Sequence, residues 1–588
     1  MHRLITILPI SIVICLTAAS AFADEAEKTP DAQTPVWYGV MDVGTRQFRF
    51  MVEQFKPSKG NAAHRLVSLD EGQQKFVLDR FELTASELNF ELRQTKAAYS
   101  GKRSKDGKTI EGKWKQNLAE FDLNFAQMWA PPADAPDEVW GGDLTTLLQK
   151  LTLQFRVYRK DDGTVTVFLD SVSQKAGGFK AIREVENRTW SVDIPALKAT
   201  FRGSLSDDGK EVVGTFTQVG TPMKLTLSRM ASLTPTATIT AHRRPQMPKP
   251  PFPYDILDVS FESKTPGVRI AGTLTIPSEV SAAPAVVMIT GSGPQDRDET
   301  IVGHRPFWVI ADHLSRHGIA VLRCDDRGVG QSTGQADNAT SVDFSQDVEG
   351  AIDFLRQHPR INKLKVGLIG HSEGGLIAPM VAARRPDVAF AVLLAGTGVN
   401  GKEILLSQGQ LILKAAGVTD AKSLKVQAAI QTVLFNAVLS AREEDTTDAL
   451  VTAARKELNT LVPTEEAEDE ELDGTLRSGI ERLRAPWFKF FLTHEPGPVL
   501  RQVKCPVLAL NGDKDVQVDS KLNLQAIEKE LTSAGHTRFE TVELPNLNHL
   551  FQTAKTGAVS EYAELDETIA PIALERLSDW ITETVNAE

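Results

Sequence analysis

The sequence predicts two kinds of fold in series, an all-β domain followed by a domain in which strands and helices alternate. Between about residues 37 and 230, short segments of alternating polarity are separated by turn signals such as Asp162-Gly163, which is typical of all-β domains. From about residue 254 onward, short and continuously apolar runs alternate with helical patterns, as expected for strands buried on both faces of a mainly parallel sheet. Residues 231–253 contain six prolines and are predicted to form an extended linker between the two domains.

Composition agrees with more than one globular domain. With 588 residues the chain is too long for a single hydrophobic core, and its 41% hydrophobic and 24% charged residues are ordinary values. The formal net charge of −12 comes without a basic cluster, which argues against a nucleic-acid-binding surface. Cys324 and Cys505 lie beside apolar runs, so we expect buried thiols and a fold that does not rely on disulfides.

Residues 1–23 have the pattern of a secretory signal peptide. Arg3 supplies the positive start, Ile5 to Thr17 form an apolar core, and Ala21-Phe22-Ala23 fits an A-x-A cleavage site. The apolar run is short for a membrane span, and a retained anchor is the alternative. The expected mature chain begins at Asp24, is periplasmic or secreted, and has no stable membrane insertion.

An internal repeat divides the predicted all-β domain, residues 24–230, into two copies at about 37–130 and 139–230. Tyr99-Ser100-Gly101 is followed by Asp106-Gly107, Gly112, Trp114 and Gln116, and Phe201-Arg202-Gly203 is followed at the same spacing by Asp208-Gly209, Gly214, Phe216 and Gln218. In each copy the Asp-Gly pair is typical of a hairpin turn. Two copies of a β-meander unit are therefore predicted, together forming a barrel or sandwich.

The second domain, residues 254–588, is predicted to hold its central strands at five apolar runs: 284–290, 319–324, 366–369, 390–395 and 507–511. Residues from about 400 to 495 interrupt the alternation with helical patterns rich in Ala, Leu, Glu and Lys. This insertion is predicted to form a helical cap over the carboxyl edge of the sheet, where the sites of α/β folds lie.

The stretch Gly370-His371-Ser372-Glu373-Gly374 fits the G-x-S-x-G nucleophile elbow. An apolar run precedes it and apolar residues at helical spacing follow it. A strand, a sharp turn and a helix would therefore lift the Ser372 hydroxyl above the sheet. A second match, Gly330 to Gly334, has polar flanks and is interpreted as a loop. Ser372 is the predicted nucleophile, and Ser332 is not.

A serine nucleophile needs a base to take its proton, and that base is usually a histidine. His549 follows the last strand candidate, residues 539–544, which is where a fold of this kind places the base. The other candidates are less suitable, because His494 ends the cap region and His536 lies in a polar loop. His549 is therefore the predicted base, against the alternative of a structural loop histidine.

The acid and the oxyanion-binding amides are expected at the ends of neighbouring strands. Asp515 is favoured over Asp513 as the acid, because the acid usually follows a short turn beyond its strand. The predicted oxyanion hole combines the amide of Glu373, which follows the nucleophile, with an amide from the glycine-rich loop after the third strand. In that loop Ser292 is the first choice and Gly293 the second, and an ordinary glycine turn is the alternative.

Two further groups of residues have structural interpretations that we prefer to functional ones. Arg297 and Arg327 lie in acid-rich loops and are expected to form ion pairs, the alternative being recognition of a substrate carboxylate. The aromatic residues near position 490 are expected to pack inside the cap, the alternative being an acyl pocket; they are Trp487, Phe488, Phe490 and Phe491.

Taken together, these motifs resemble the α/β-hydrolase superfamily and, more narrowly, the EstD-type bacterial esterases. The resemblance rests on five segments: 291–299, 326–330, 370–375, 512–515 and 548–552. It implies an α/β-hydrolase fold and a serine carboxylesterase with Ser372, Asp515 and His549 as its triad. Such an enzyme acts on a small-molecule ester without a metal or organic cofactor. Asp325 stands where an aromatic residue is common, a departure that is not expected to disturb the triad.

Two other functions stay open at this point. A serine peptidase or amidase would use the same fold and triad. Alternatively, the β-repeats could bind a cell-envelope ligand beside an idle hydrolase domain, although an intact triad argues against idleness. A dehalogenase is excluded because its elbow has an aspartate where this chain has Ser372. The sequence specifies no oligomeric state.

Overall fold

The computed structural model describes residues 36–587 with gaps. The residues left out are 1–35, 44–45, 56–62, 71–73, 93–96, 117–118, 129–135, 146–149, 160–164, 174–175, 198, 219–220, 234–243, 416, 463–468, 563 and 588. The predicted signal peptide lies outside the described residues. Two compact units divide the chain, an amino-terminal unit that ends at Ala241 and a carboxyl-terminal unit that runs from His242 to Glu588. Among the helices that are described, none is both long and apolar enough to cross a membrane.

The amino-terminal unit is all-β. Its first described strands are β1 Val36–Asp42, β2 Gln47–Phe55, β3 Ala63–Ser68, β4 Gln74–Val77, β5 Arg80–Leu83, β6 Glu87–Leu92, β7 Ala97–Arg103, β8 Thr109–Gln116 and β9 Ala119–Met128. They form one sheet in the order β4-β3-β2-β1-β9-β8-β7-β6-β5. The next strands are β10 Glu138–Thr145, β11 Lys150–Arg159, β12 Val165–Ser171, β13 Ala176–Glu186, β14 Thr189–Ile194, β15 Ala199–Leu205, β16 Glu211–Gln218 and β17 Thr221–Met230. They form a barrel that the pairing of β10 with β17 closes.

Each of these two β-bodies has an apolar core of its own. The core of the sheet includes the buried rings of Phe90, Tyr99 and Phe125, and the core of the barrel includes those of Trp140 and Trp190. Side chains in β6 and β14 alternate between exposed or half-buried and buried positions, as a strand with one face on a core requires. The all-β expectation for this region is therefore confirmed.

The two Asp-Gly turns occupy corresponding places in the two β-bodies. Asp106-Gly107 joins β7 to β8, and Asp208-Gly209 joins β15 to β16. In both turns a serine hydroxyl donates to the aspartate (2.6 and 2.7 Å), and the amide two residues after the aspartate donates to the same oxygen (3.1 Å in each). Both glycines have positive φ, +72° and +69°, which favours glycine there. These shared contacts agree with the proposed repeat, which stays a prediction.

The carboxyl-terminal unit is built on an eight-stranded sheet. Its strands are β18 Tyr254–Glu262, β19 Arg269–Pro277, β20 Ala283–Ile289, β21 Ala320–Cys324, β22 Ile361–His371, β23 Ala391–Leu394, β24 Val507–Gly512 and β25 Phe539–Leu544. They lie in the order β18-β19-β21-β20-β22-β23-β24-β25. From β21 onward in that order neighbouring strands are parallel, whereas β18 with β19 and β19 with β21 pair antiparallel.

Helices cover both faces of this sheet. They are α1 Pro306–Arg316, α2 Ser341–Gln357, α3 Gly374–Arg384, α10 Ser520–Ser533 and α11 Pro571–Asn586. Helices α1 and α11 share one core cluster with Val286 and Ile369, whereas α2, α3 and α10 share another with Val287 and Leu368. Because adjacent strand residues point to opposite faces and both faces are covered, the central strands are apolar without interruption.

The insertion between β23 and β24 is helical, as the sequence predicts. Its helices are α4 Gly401–Ala415, α5 Ala421–Ser440, α6 Thr447–Leu461, α7 Asp469–Leu483, α8 Pro486–Thr493 and α9 Pro496–Leu500. Buried side chains of α5 and α6, such as Leu434 and Leu458, belong to the same core cluster as the α2 and α3 face of the sheet.

Two features of this unit differ from the sequence-based expectation. The sequence analysis predicts neither of the antiparallel strands β18 and β19. Strand β18 lies at the edge of the sheet and many of its side chains are exposed. The unit also begins before Tyr254, within the proposed linker. Arg244 donates to the Leu565 carbonyl (2.9 Å) and Gln246 to the Ile569 carbonyl (2.6 Å), so this stretch is held against the end of its own unit.

Candidate active site

Ser372 lies in the sharp turn between β22, which ends at His371, and α3, which begins at Gly374. Its φ of +54° is in the left-handed region that non-glycine residues avoid, so the backbone is strained here, as is common at functional sites. The turn is so tight that a Cβ on Gly370 would lie 2.0 Å from the Gly374 carbonyl oxygen. Ser372 is partly exposed, while the residues on either side of it are buried.

His549 and Asp515 are brought together from the loops that follow β25 and β24. Nδ1 of His549 lies 2.8 Å from Oδ2 of Asp515, and both side chains are buried. Oδ1 of Asp515 accepts hydrogen bonds from the amides of Gln517 (2.7 Å) and Val518 (2.9 Å). Because an ionised carboxylate only accepts hydrogen bonds, Nδ1 of His549 has the proton and Nε2 is left as an acceptor.

The elbow is hydrogen-bonded directly to the loop that carries His549. Nε2 of His371 lies 3.0 Å from the carbonyl oxygen of His549, and the two imidazole rings are 4.8 Å apart between centroids. We call residues 545–551, which include His549, the histidine loop. Since His371 precedes Ser372, this contact brings the histidine loop next to the proposed nucleophile.

The competing acid and base candidates serve local structure. Asp513 is exposed and accepts a hydrogen bond from the Asn546 amide (2.6 Å), which shapes the turn beside the histidine loop. Nε2 of His536 lies 2.9 Å from the Cys505 carbonyl, and His494 stacks on Phe490 with ring centroids 4.9 Å apart.

Residues 290–299, which we call the oxyanion loop, follow β20 and approach the elbow from the other side. A Cβ on Gly291 would lie 3.4 Å from Cβ of Ser372. The Gly291 amide is occupied, because it donates to Glu299 (2.7 Å). In the described part of the chain, the amides of Glu373, Ser292 and Gly293 donate to no protein acceptor. They are therefore available to a ligand, and Ser292 and Gly293 stay alternatives for the second oxyanion amide.

A buried carboxylate, Glu373, joins the elbow to the cap. It accepts hydrogen bonds from the hydroxyl of Ser341 (2.6 Å) and from the indole of Trp487 in α8 (2.7 Å). Burial raises the pKa of Glu373, while the hydrogen bonds from Ser341, Trp487 and Ser292 act in the opposite direction. Trp487 also stacks on Phe491 at 5.1 Å between centroids. The aromatic cluster therefore packs within the cap, as expected, and its indole reaches the residue after Ser372.

A second histidine–carboxylate pair lies beside the first. Nδ1 of His371 is 3.0 Å from Oε1 of Glu299, and both side chains are buried. Glu299 belongs to the oxyanion loop, and its φ of +51° also places a non-glycine backbone in the left-handed region.

The remaining predicted features are structural. The hydroxyl of Ser332 donates to the Asp325 carbonyl (2.7 Å) and accepts from the Ala271 amide (2.9 Å), so it fixes a loop. Arg297 pairs with Asp325 (2.7 Å) and Arg327 with Asp347 (2.8 Å), as expected for ion pairs. The Asp325 that departs from the esterase pattern is thus neutralised by an arginine of the oxyanion loop.

Burial also raises the pKa of other titratable groups in this unit. Asp326 accepts hydrogen bonds from the Thr290 hydroxyl (2.7 Å) and the Gln295 amide (2.8 Å), and burial raises its pKa well above the usual range. Burial likewise raises the pKa of both thiols, Cys324 and Cys505, which form no disulfide. The described residues contain no cluster of three or more His, Cys, Asp or Glu side chains that could hold a metal ion.

Sequence patterns do not single out His371 as part of the site, and for Trp487 they favour packing in the cap over an acyl pocket. In the structure both residues contact central residues of the site. Glu299 lies 72 residues before His371, and Trp487 lies 114 residues after Glu373. Contacts over such separations leave no local pattern. The available signal was compositional: Glu299 ends an acid-rich loop, and His371 lies inside the elbow motif.

Comparison with known proteins finds one matching family and several relatives. A family model described as serine aminopeptidase, S33, matches residues 307–552. Esterase EstD of Thermotoga maritima is 26% identical over 292 residues, which are 50% of this chain and 60% of EstD. The polyketide transferase grgF of a Penicillium species is 33% identical over 89 residues, which are 15% of this chain and 30% of that protein. The matched region thus spans less than two thirds of these curated relatives.

Two solved structures show similarity to part of the chain. Est1E of Butyrivibrio proteoclasticus with bound ferulic acid is 15% identical with a TM-score of 0.32, and the match covers 56% of this chain and 100% of Est1E. The Pyrococcus furiosus esterase Pf2001 is 14% identical with a TM-score of 0.34, and the match covers 56% of this chain and 91% of that protein.

The strand order, the strand–turn–helix around Ser372 and the family match point to the same relationship. The carboxyl-terminal unit of this chain has an α/β-hydrolase fold, is similar to the serine aminopeptidase S33 family over residues 307–552, and resembles the EstD-type bacterial esterases.

Proposed function

We propose that the carboxyl-terminal unit is a serine hydrolase that cleaves carboxylic esters of small molecules with Ser372, His549 and Asp515. One observation carries the proposal, the buried hydrogen bond of 2.8 Å between Nδ1 of His549 and Oδ2 of Asp515. It presents an oriented imidazole next to a strained serine turn, which is the arrangement that activates a hydroxyl. The similarity to a protein named as an esterase supports an ester as the substrate class.

The reaction follows from the roles of the two ring nitrogens of His549. Nε2 takes the hydroxyl proton as Oγ of Ser372 attacks the ester carbonyl, and Asp515 stabilises the imidazolium that forms. The tetrahedral intermediate expels the alcohol, which receives the proton from Nε2 and leaves the serine acylated. Water then attacks the acyl-enzyme after giving a proton to the same Nε2. That proton returns to Oγ as the carboxylic acid is released.

The oxyanion of both tetrahedral intermediates is stabilised by backbone amides. In this proposal the Glu373 amide is one donor, and the Ser292 or Gly293 amide is the other. The absence of a protein acceptor for these amides among the described residues supports this role. Loss of one such donor costs about 10²- to 10³-fold in rate in other serine hydrolases.

A serine peptidase or amidase is the second candidate, and the description of the matching family as an aminopeptidase favours it. Both activities use the same triad, so the substrate decides between them. A third candidate, a cell-envelope ligand-binding protein with an idle hydrolase unit, is disfavoured by the oriented His549–Asp515 pair.

Paired rates on an ester and an anilide with the same acyl group separate these candidates. The esterase proposal predicts that the ester is cleaved much faster than the anilide and that Ser372→Ala abolishes the reaction. Ser332→Ala is the matched control, because Ser332 lies in a G-x-S-x-G sequence but only fixes a loop. Faster anilide cleavage would favour the amidase, and a folded protein that cleaves neither substrate would favour the binding protein.

We also propose that the chain is exported, on the basis of the signal-like residues 1–23. Mass spectrometry of the protein recovered from the periplasm or the medium tests this, with Asp24 as the expected first residue. Recovery only from the cytoplasm with an uncleaved amino terminus would contradict export.

A further inference from the structure

His371 and Glu299 connect three parts of the site through a short series of hydrogen bonds. Oε1 of Glu299 accepts from the Gly291 amide (2.7 Å) in the oxyanion loop and lies 3.0 Å from Nδ1 of His371 in the elbow. Nε2 of His371 lies 3.0 Å from the His549 carbonyl in the histidine loop. One buried pair therefore contacts the oxyanion loop, the residue before the nucleophile and the backbone of the base.

The partners of His371 determine how many protons its ring holds. Nδ1 faces a carboxylate oxygen and Nε2 faces a carbonyl oxygen, and both are acceptors. A neutral imidazole has only one N–H, so it would leave one nitrogen lone pair directed at an oxygen. Both contacts are satisfied when His371 is an imidazolium paired with an ionised Glu299.

The surroundings favour this protonated form. Burial by itself lowers the pKa of His371, but the attraction and hydrogen bond of Glu299, together with the His549 carbonyl and Asp515, outweigh it and raise the pKa. The other groups facing the ring are the imidazole of His549 and the apolar ring of Phe551. Burial raises the pKa of Asp326 in the loop after β21, and the charges of Glu373 and Glu299 add to this effect.

The backbone of Glu299 is a second and independent observation. Its φ of +51° places a non-glycine residue in the left-handed region, and such strain persists where the surrounding structure holds the residue in place. The strained backbone directs a buried carboxylate at both Gly291 and His371.

We propose that Glu299 and His371 are positioning residues that hold the oxyanion loop and the histidine loop in register with the nucleophile, and that they do so only while His371 is protonated. The proposal rests on the proposed serine-hydrolase function. Neither side chain is required to touch the substrate. Both act through backbone atoms, the Gly291 amide on one side and the His549 carbonyl on the other.

A consequence is an alkaline limit on activity. Below the pKa of His371 both contacts are intact, and above it one of them is lost and the catalytic groups move relative to each other. Misplacement of reacting groups by about 1 Å can cost on the order of 100-fold in rate. Because Glu299 raises that pKa, removing its charge should move the alkaline limb to lower pH.

The test is the pH dependence of kcat/KM for a soluble short-chain ester, measured by titrating the released acid in the full-length protein. In Glu299→Gln the alkaline limb should lie lower than in the wild type by about one pH unit or more. In the same variant kcat should fall about 10- to 100-fold at its best pH, with KM changed much less, because positioning acts mainly in the transition state. In His371→Gln the limb should disappear, since glutamine does not titrate.

The matched control is Asp298→Asn, which removes a neighbouring carboxylate of the same loop. Asp298 pairs with Arg305 and Arg323, so its loss perturbs the loop without touching the elbow. This variant should keep the wild-type limb. Circular dichroism and a cooperative melt establish folding for each variant.

The outcomes separate this inference from the proposed function. An alkaline limb that stays at the wild-type pH in Glu299→Gln, or that persists in His371→Gln, overturns the positioning pair while leaving the esterase in place. If only one of these two variants folds, the position of the alkaline limb in that variant decides whether the proposal holds. A folded wild-type protein that hydrolyses no ester refutes the proposed function itself.

Discussion

Replacing Asp515 by asparagine should inactivate the enzyme, because it moves the proton of the His549 imidazole from Nδ1 to Nε2. Oδ1 of Asp515 accepts from two backbone amides, Gln517 and Val518, and an asparagine would keep its carbonyl oxygen there. Its amide nitrogen would then face Nδ1 of His549, at the position where Oδ2 now lies 2.8 Å away. Because an amide NH₂ donates, Nδ1 would become the acceptor and Nε2 would have the proton.

That tautomer cannot take the Ser372 proton, and the negative charge that stabilises the imidazolium is also gone. The equivalent change in a serine protease lowers kcat by about 10⁴-fold, which corresponds to roughly 5 kcal/mol of transition-state stabilisation. We expect a loss of similar size for Asp515→Asn, with KM changed little. Initial rates on a soluble ester, measured for purified protein of verified fold, give this ratio.

Asp513→Asn is the matched control, because it makes the same chemical change two residues away. Asp513 is exposed, and within the described part of the chain its side chain accepts only from the Asn546 amide, a bond that an asparagine oxygen also accepts. Its kcat should stay within about threefold of the wild type, as expected for a surface substitution. If Asp513→Asn were the inactive variant and Asp515→Asn the active one, the assignment of the acid would be wrong.

Two further predictions concern the cap and the boundary of the unit. Trp487→Phe keeps the aromatic packing but removes the N–H that donates to Glu373 (2.7 Å). In this variant kcat should fall several-fold, while the melting temperature changes little. Unchanged kinetics on large and small esters would show that this bond has no role in catalysis. A truncated protein that starts at His242 should keep activity on small soluble esters, because every proposed catalytic residue lies after that position. One that starts at Tyr254 should melt at a lower temperature, because the hydrogen bonds of Arg244 and Gln246 are worth about 1 kcal/mol each. Equal melting temperatures, or a folded but inactive His242 protein, would contradict the division into units.

The sequence predicts the central strands of the carboxyl-terminal sheet well, because strands buried on both faces have uninterrupted apolar sequences. The apolar runs around Val366 and Val507 match β22 and β24, since strands covered on both sides need no polar alternation. The edge strand β18 was missed for the opposite reason, because exposed side chains interrupt its pattern. The sequence does not predict the boundary near His242. The hydrogen bonds of Arg244 and Gln246 go to residues more than 300 positions later, and such contacts leave no pattern in the local sequence.

The candidate site likewise contains residues that the sequence predicts and residues that it does not. Ser372, Asp515 and His549 were selected from short motifs at strand ends, and the hydrogen bond between Asp515 and His549 agrees with that choice. Their roles stay a proposal until they are measured. His371 and Glu299 have no motif of their own as a pair, because what matters is which atoms face each other across three loops.

The central claim is that Ser372 is an activated nucleophile, and covalent labelling tests it most directly. The full-length protein is treated with a fluorophosphonate probe, and the modified peptide is identified by mass spectrometry. The account predicts one modified serine, Ser372, with labelling lost in Ser372→Ala, strongly slowed in Asp515→Asn and retained in Ser332→Ala. Labelling of a different serine, or no labelling of protein whose fold has been verified, would contradict it.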